Sequence, residues 1–403
     1  MALDVEFVVV GGGPAGISTA LFLQELDPEG AKNMVLLERE TYPRDKICAG
    51  AVGGRGLRLL SMIGCLPNVP HVTIRAVQAR TPFGDMRAEV EDAGWVVRRV
   101  EFDAALAELA VARGLDLRTA QQVSALERLS DGRMLVTTQE GLQIRARAVV
   151  GADGVGSFVR RALRMESSEV RAQAIEIDCE PCEGQPDDGT LIFDVRDRSF
   201  RGYTWEFPTP LAGRLLRSHG VYAVGRRGEP RPDTRSRDIR DRLNDQVRGH
   251  TRAAPARRFA ERGVAGALVL GSGPALLIGE AAGIDPVLGE GIAQAIQYGM
   301  FSARSLADAR KRNIYNFDAL TLATLTGNVG FDLRVRSRLL EIIYGAPRPL
   351  TEQLVARSES LARAGLSYFG GLPVARRDLA LAARDLCAVL GAALLPRMWA
   401  ART

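Results

Sequence analysis

The segment from Asp4 to Arg39, DVEFVVVGGGPAGISTALFLQELDPEGAKNMVLLER, narrows the fold more than any other part of the chain. Asp4 to Val10 is a short β-branched apolar run. It leads directly into Gly11-Gly12-Gly13-Pro14-Ala15-Gly16 and then into ISTALFLQEL, whose apolar spacing is helical. The pattern predicts strand, tight glycine turn and helix. Gly11 permits the turn, Gly13 lets the backbone approach a pyrophosphate, and Gly16 allows close helix–strand packing. The helix that opens at Pro14 and Ala15 offers free N–H groups to phosphate charge. A second strand, MVLLE, ends in Glu38, followed by Arg39, which places a carboxylate where a βαβ unit binds ribose hydroxyls. Together these residues predict a dinucleotide site.

Two later segments decide which dinucleotide. Ala146 to Val150 is a mostly apolar strand feeding GADGVGSFVRR, where Asp153-Gly154 ends the strand and Ser157 to Arg161 begins a helix. Further on, LLIGEAAGIDPVLGEGIAQAIQYG puts Gly279-Glu280 at another strand end, with Pro286, Gly289 and Gly291 before a helix that starts near Ile292. A single NAD site has no need of three glycine-marked strand ends, whereas a long FAD laid across the sheet does. Glu280 is positioned to hydrogen-bond the ribityl chain. The helix beginning near Gly291 and Ile292 would point its positive end at the isoalloxazine.

On these residues the chain resembles the large family of FAD oxidoreductases that includes aromatic hydroxylases, flavin halogenases and geranylgeranyl reductases. Arg99, in RVEFDAALAELA, resembles that family's RxxFD arginine beside the FAD. Glu280 departs from it, since the family usually has aspartate there. The resemblance implies an α/β fold with three parts. An FAD-binding Rossmann-like domain of glutathione reductase type would be assembled from 1–73, 96–163 and 267–309. A β-sheet substrate domain would come from 74–95 and 164–266, and C-terminal helices from 310–403.

Within that family, PRDKICAG, Pro43 to Gly50, resembles the PxxKxCGG stretch of geranylgeranyl reductases, and GYTWEFP, Gly202 to Pro208, resembles their YxWxFP motif. The likeness implies that Cys48 faces flavin and substrate and supplies a proton, its acidity tuned by Lys46. Arginine provides all but three of the 53 basic residues, which makes a lysine at this position notable. Tyr203, Trp205 and Phe207 would project to one face of a strand and, with Pro208, wall a long apolar substrate. Ala49 replaces the first glycine of the usual CGG, and the spacer after Pro208 is longer than the family's. The halogenase signature WxWxIP is absent. The leading expectation is reduction of C=C bonds in a large apolar, isoprenoid substrate by hydride from reduced flavin. The alternatives are a monooxygenase acting on an apolar or aromatic substrate, and a flavoprotein without turnover. NAD(P)H, or a reduced partner such as a ferredoxin or flavin reductase, would supply the electrons.

Composition excludes several other classes. A net charge of +5 spread among 53 basic and 48 acidic residues leaves no nucleic-acid footprint. Cys179-Glu180-Pro181-Cys182 has no second CxxC, and His71, His219 and His250 sit in no partnered arrangement, so we expect neither a metal site nor a histidine catalyst. Strand-end thiols are the default reading of that CxxC, and a redox-active Cys179/Cys182 pair is the alternative. Five cysteines and an N-terminus without a signal core point to a cytoplasmic protein. No apolar run approaches the roughly 20 residues needed to cross a bilayer, and CAVLGAALL from Cys387 allows at most peripheral membrane contact. DTRSRDIRDRLNDQVRGH reads as a charged surface helix.

Overall fold

Two sheets organise the chain. The computed structural model describes residues 2–166, 168–185, 189–226, 232–264 and 268–400. In the first sheet the strand Leu3–Val10 pairs in parallel with Met34–Leu37 on one side and Gln143–Gly151 on the other. Ala275–Leu277 extends it in parallel past Gln143–Gly151, and Asp116–Arg118 past Met34–Leu37. Phe7 to Val10 are buried, as a central parallel strand covered by helices must be. The helix Pro14–Leu26 is buried from Pro14 to Leu23 and packs along the helix Ile292–Arg312.

The register carries the functional consequence. Val10, Leu37, Gly151 and Leu277 stand abreast, so the glycine turn, Glu38, Asp153-Gly154 and Gly279-Glu280 all leave the same edge of the sheet. Ligands of open α/β sheets bind at the carboxyl ends of the strands.

The second sheet is mainly antiparallel. Its order is Arg257–Arg262, Val170–Cys179, Arg214–Arg226, Gly202–Leu211, Thr190–Asp194, His71–Thr81, Gly84–Val97 and Ala51–Gly53. It takes in Ala51–Gly53 and begins again at His71, both inside the 1–73 piece expected for the nucleotide domain, because Ala51 pairs with Val96 and His71 with Val97. The expected boundary between 266 and 267, and residues 401–403, lie outside the described residues. Arg98 clamps the two parts together, donating to Asp178 Oδ2 at 2.7 Å and to the Pro210 carbonyl at 3.1 Å.

Helices Gly327–Tyr344, Arg348–Arg357 and Glu359–Gly370 cover one face of this sheet, and Arg376–Ala400 packs outside them. The helix Pro232–Gln246 covers the other face, burying Ile239 and Leu243 against Ile175, Ile177 and Val221. On that far side His219 and His250 do have a partner, contrary to expectation: each other. Their rings meet edge to face with centroids 4.9 Å apart, beside a cavity of about 410 Å³, because the strand Arg214–Arg226 and the turn after the helix pack together. Among the described residues no helix is long and apolar enough to cross a membrane, and no group of side chains could hold a metal ion.

Candidate active site

The nucleotide half begins where the first strand ends. Gly11 has φ +107°, and a Cβ there would lie 2.4 Å from the Ala152 carbonyl, so only glycine allows the turn against the neighbouring strand. Glu38 Oε2 accepts the Gly12 N–H at 2.7 Å and Oε1 accepts that of Glu40 at 3.0 Å. The helix Pro14–Leu26 follows with Gly13 as N-cap and no side-chain cap, leaving its first N–H groups free. Arg39 lies at the surface against Glu40, whereas Arg44, which the sequence does not mark, reaches the Gly12 carbonyl at 3.1 Å and Asp103 at 3.2 Å. Tyr42 donates to the same carbonyl. Arg99 forks onto Asp103 with two bonds of 2.7 Å, so one buried carboxylate holds both arginines.

The other two strand ends close the cleft. Asp153 Oδ2 caps the helix Phe158–Ala162 through the N–H groups of Phe158 and Val159, while its buried Oδ1 has no partner. Gly154 lies beside the Glu280 carboxylate. The helix Ile292–Arg312 starts at Gly291 with no side-chain cap. Two uncapped helix N-termini, an orphaned Asp153 oxygen and an unfilled glycine loop converge on one strand edge. A dinucleotide carrying a pyrophosphate and a reducible anionic ring fits that donor set.

Pro43 to Gly50 runs from this cleft to the second sheet. Lys46 Nζ meets Glu280 Oε2 at 2.5 Å. Its ammonium is thereby committed, and the cation that acts on Cys48 is Arg99. Burial pushes the Cys48 thiol up, against the pull of Arg99 and of a 3.4 Å hydrogen bond from the Gly50 N–H, so the sulfur holds its proton. Ala49 and Ala51 then join the aromatic cluster on the sheet face.

That face is set by register. Tyr203 pairs with Tyr222, Trp205 with Gly220, and Phe193 with Trp205. Tyr203, Trp205 and Phe207 are buried and packed against Phe193, Tyr222 and Tyr344; Pro208 follows them in the same strand. Glu261 lies on the edge strand Arg257–Arg262 and Glu176 on its neighbour Val170–Cys179, next to this face, and neither is marked by the sequence. Glu176 is 1% exposed and is pushed up to about 7 by burial, opposed by Arg257 at 3.2 Å.

The loop Pro286 to Gly291 is held from below by charge. Asp285 accepts the N–H groups of Val287 and Leu288 at 2.8 and 3.1 Å, and Gln294 accepts that of Asp285. Arg336 binds Asp285 at 2.5 Å and Asp332 at 2.8 Å and lies 3.7 Å from Glu290. The helix Gly327–Tyr344 thus fixes the loop that faces the cofactor cleft. Cys179 is buried at its strand end and Cys182 is exposed, both as free thiols.

This fold and cleft define an FAD-dependent oxidoreductase. The FAD binding domain family profile matches residues 4–312. The chain is 31% identical to the digeranylgeranylglycerophospholipid reductase of Methanothrix thermoacetophila over 330 residues, covering 75% of this chain and 78% of that one. It is 25% identical to the menaquinone reductase of Mycobacterium tuberculosis over 92% of this chain and 93% of that one. The geranylgeranyl bacteriochlorophyll reductase-like protein of Thermoplasma acidophilum shares its fold, with TM-score 0.67 at 17% identity over 95% and 96% of the two chains. The chain belongs to the FAD-binding-domain family, among the geranylgeranyl reductase-like flavoproteins.

Proposed function

We propose that this oxidoreductase reduces C=C bonds of a large apolar, isoprenoid substrate. The placement of Cys48 carries the reading: it lies between the cofactor cleft and a buried aromatic face, one residue before Ala49, which joins that face. When bound and reduced, FAD supplies a hydride. Cys48 holds a proton at Sγ for the second carbon. Gly50 N–H orients the sulfur, and Arg99 nearby steadies the thiolate left behind. Tyr203, Trp205 and Phe207 offer an apolar wall that would exclude water. The names of the two reductase relatives support a lipid-like substrate.

Electrons would come from transiently bound NAD(P)H or from a ferredoxin or flavin reductase. Exposed Leu379, Leu386 and Leu390, on a helix that also carries Arg376, Arg377 and Arg384, support peripheral contact with an anionic membrane surface from which such a substrate could be drawn.

The test is anaerobic. FAD-loaded protein, photoreduced and mixed with a prenylated lipid, should reoxidise as the lipid gains H₂. In a parallel aerobic run, stoichiometric O₂ uptake with an oxygenated product would establish a monooxygenase instead, and no acceptor-dependent reoxidation in either run would mean a flavoprotein without turnover. A Cys48→Ala protein with full turnover would remove the proton-donor role alone.

A further inference from the structure

The cavity of about 410 Å³ on the far face of the second sheet is separate from the cofactor cleft, and strand register builds it. Glu206 and His219 are cross-strand neighbours, as are Asp194 and Arg80. Thr204 and Glu206 alternate with Tyr203, Trp205 and Phe207, so they face away from the aromatic wall and line this space with the end of the helix Pro232–Gln246. Its volume falls within the roughly 300–1,000 Å³ of small-molecule sites. Each carboxylate of the lining already has a guanidinium: Glu206 has Arg217 at 2.7 Å, Asp194 has Arg196 at 3.0 Å, Asp245 has Arg248 at 2.5 Å, and Asp197 has Arg242. Arg80 is the cation left over; among the described residues it has only Glu206, at 4.0 Å. The neutral groups are unmet as well. His219 is 1% exposed and neither of its ring nitrogens has a hydrogen-bond partner, and His250 Nδ1 and Gln246 Oε1 are likewise buried and unpaired. Gln246 spends its Nε2 on the Trp205 carbonyl at 2.7 Å, so its oxygen alone remains to be matched. Buried polar groups are normally paired, and here a roomy polar space adjoins several that are not.

We propose that this cavity binds a small hydroxy acid, with Arg80 and His219 taking the carboxylate and Gln246 and His250 the hydroxyls. A dianion such as phosphate would meet four carboxylates with a single uncommitted guanidinium, whereas a carboxylate brings one charge and two oxygens that match the Arg80 fork. The Gln246 oxygen accepts only, so it needs a donor that a plain fatty acid lacks. The sheet stands between this site and the cofactor cleft, so the ligand is an effector and not a substrate. Its hold on the aromatic wall runs through Gln246 to the Trp205 carbonyl. The site stands whether or not the protein reduces C=C bonds.

Binding should draw in a proton. Around His219 stand Glu206 and Arg80 on neighbouring strands, Arg217 on its own strand, Arg242 and Asp245 on the helix, and His250 on the turn after it. Burial lowers the empty imidazole to about 4, with Glu206 opposing and His250, Arg217 and Arg80 adding to the fall, so at neutral pH it is uncharged. A carboxylate set against the ring favours the charged form. Affinity for the acid therefore rises as pH falls, while affinity for a neutral polyol does not.

The probes are three six-carbon compounds titrated into oxidised, FAD-loaded protein: gluconate, which has carboxylate and hydroxyls, hexanoate, which has the carboxylate alone, and sorbitol, which has the hydroxyls alone. The chain has three histidines, so their ring signals in NMR report the place of binding. We expect gluconate to bind with Kd of about 1 mM or below and at least ~10-fold more tightly than hexanoate or sorbitol. It should shift the His219 and His250 signals, leave His71 and the flavin spectrum unmoved, and bind more tightly at pH 5 than at pH 8. Arg80→Met, a change at a partly exposed position, should erase the preference for gluconate over sorbitol. His219→Gln, which keeps a donor and an acceptor but cannot take a proton, should hold binding within a few-fold and flatten its pH dependence. Sorbitol binding as tightly as gluconate would overturn the carboxylate's part, and hexanoate binding as tightly would overturn that of the hydroxyls. Tighter binding of inorganic phosphate would overturn the ligand class. A flavin spectral change without shifts at His219 would put the acid in the cofactor cleft, and no saturable binding of any probe would leave the cavity to water only; either result overturns the site.

Discussion

Lys46 and Glu280 stand 234 positions apart in the chain and meet at 2.5 Å in the cofactor cleft. The pair joins the loop that carries Cys48 to the third strand end. It also neutralises a carboxylate one methylene longer than the aspartate usual in the family.

The pair makes opposite predictions for its two members. Glu280→Gln leaves an uncompensated ammonium beside the flavin, which favours the anionic reduced ring and should raise its midpoint potential. Lys46→Met leaves a carboxylate and should lower it. For a partly buried pair about 1 kcal/mol is at stake, or ~20 mV for a two-electron couple. Redox titration of the two variants decides the matter, and shifts of the same sign would reduce the pair to a structural tie.

Arg336 should matter more to the cofactor loop than any residue within that loop. It faces Asp285, Asp332 and Glu290, all buried, so Arg336→Met strands several carboxylates. Breaking a buried ion pair on one side costs about 3–5 kcal/mol. We expect a loss of that size in urea denaturation, with faster FAD release, and little rescue by Arg336→Lys, which cannot fork. An unchanged FAD off-rate would separate the network from the loop.

The glycine turn, Glu38, Asp153-Gly154 and Gly279-Glu280 were legible in the sequence because each is a local strand-end pattern whose geometry needs no knowledge of the rest of the chain. Their alignment on one edge then follows from parallel pairing. Arg336 was not legible, since its meaning comes from Asp285, 51 residues earlier, and it looks like any other arginine in a chain rich in them. Tyr222 and Glu261 were hidden for a related reason. Only the strand register places them beside Gly289, and that register depends on the hairpin at Leu211–Arg214 and on an edge strand whose sequence, RRFAER, shows no apolar alternation. The His219–His250 contact escaped because 31 residues, including a whole helix, separate the two rings.

Glu176 should make stability depend on pH. Its carboxyl is raised from 4.5 to about 7, chiefly by burial, so the stability it contributes is fully present below pH 4.5 and lost as pH rises through 7. Glu290, also raised to about 7 by burial, acts in the same sense. His219 acts in the opposite sense, because burial lowers it to about 4; its contribution is present above pH 6.5 and lost as pH falls through 4. Glu176→Gln removes one of these dependences. Relative to the parent protein it should gain up to about 3 kcal/mol between pH 5 and pH 8. Equal differences in urea denaturation at the two pH values would contradict this.

Gly220 should control the aromatic wall through Trp205. The two residues are paired across the strands, and a Cβ on Gly220 would lie 2.1 Å from Cζ2 of the indole, which lies over the glycine. Gly220→Ala must therefore push the indole toward Tyr203 and Phe207, whose rings lie 6.3 and 6.2 Å from it. Overpacking of this kind costs about 1–3 kcal/mol. Trp205→Phe clears the space at its own cost in buried area, so the double variant should be more stable than the sum of the single effects predicts, with a coupling of about 1 kcal/mol or more. Selectivity supplies the functional readout. Gly220→Ala should slow the longest isoprenoid substrates most, because their tails need the wall intact, while short ones that do not reach it are spared. Equal slowing of long and short substrates would place the tail elsewhere and detach the aromatic face from substrate binding.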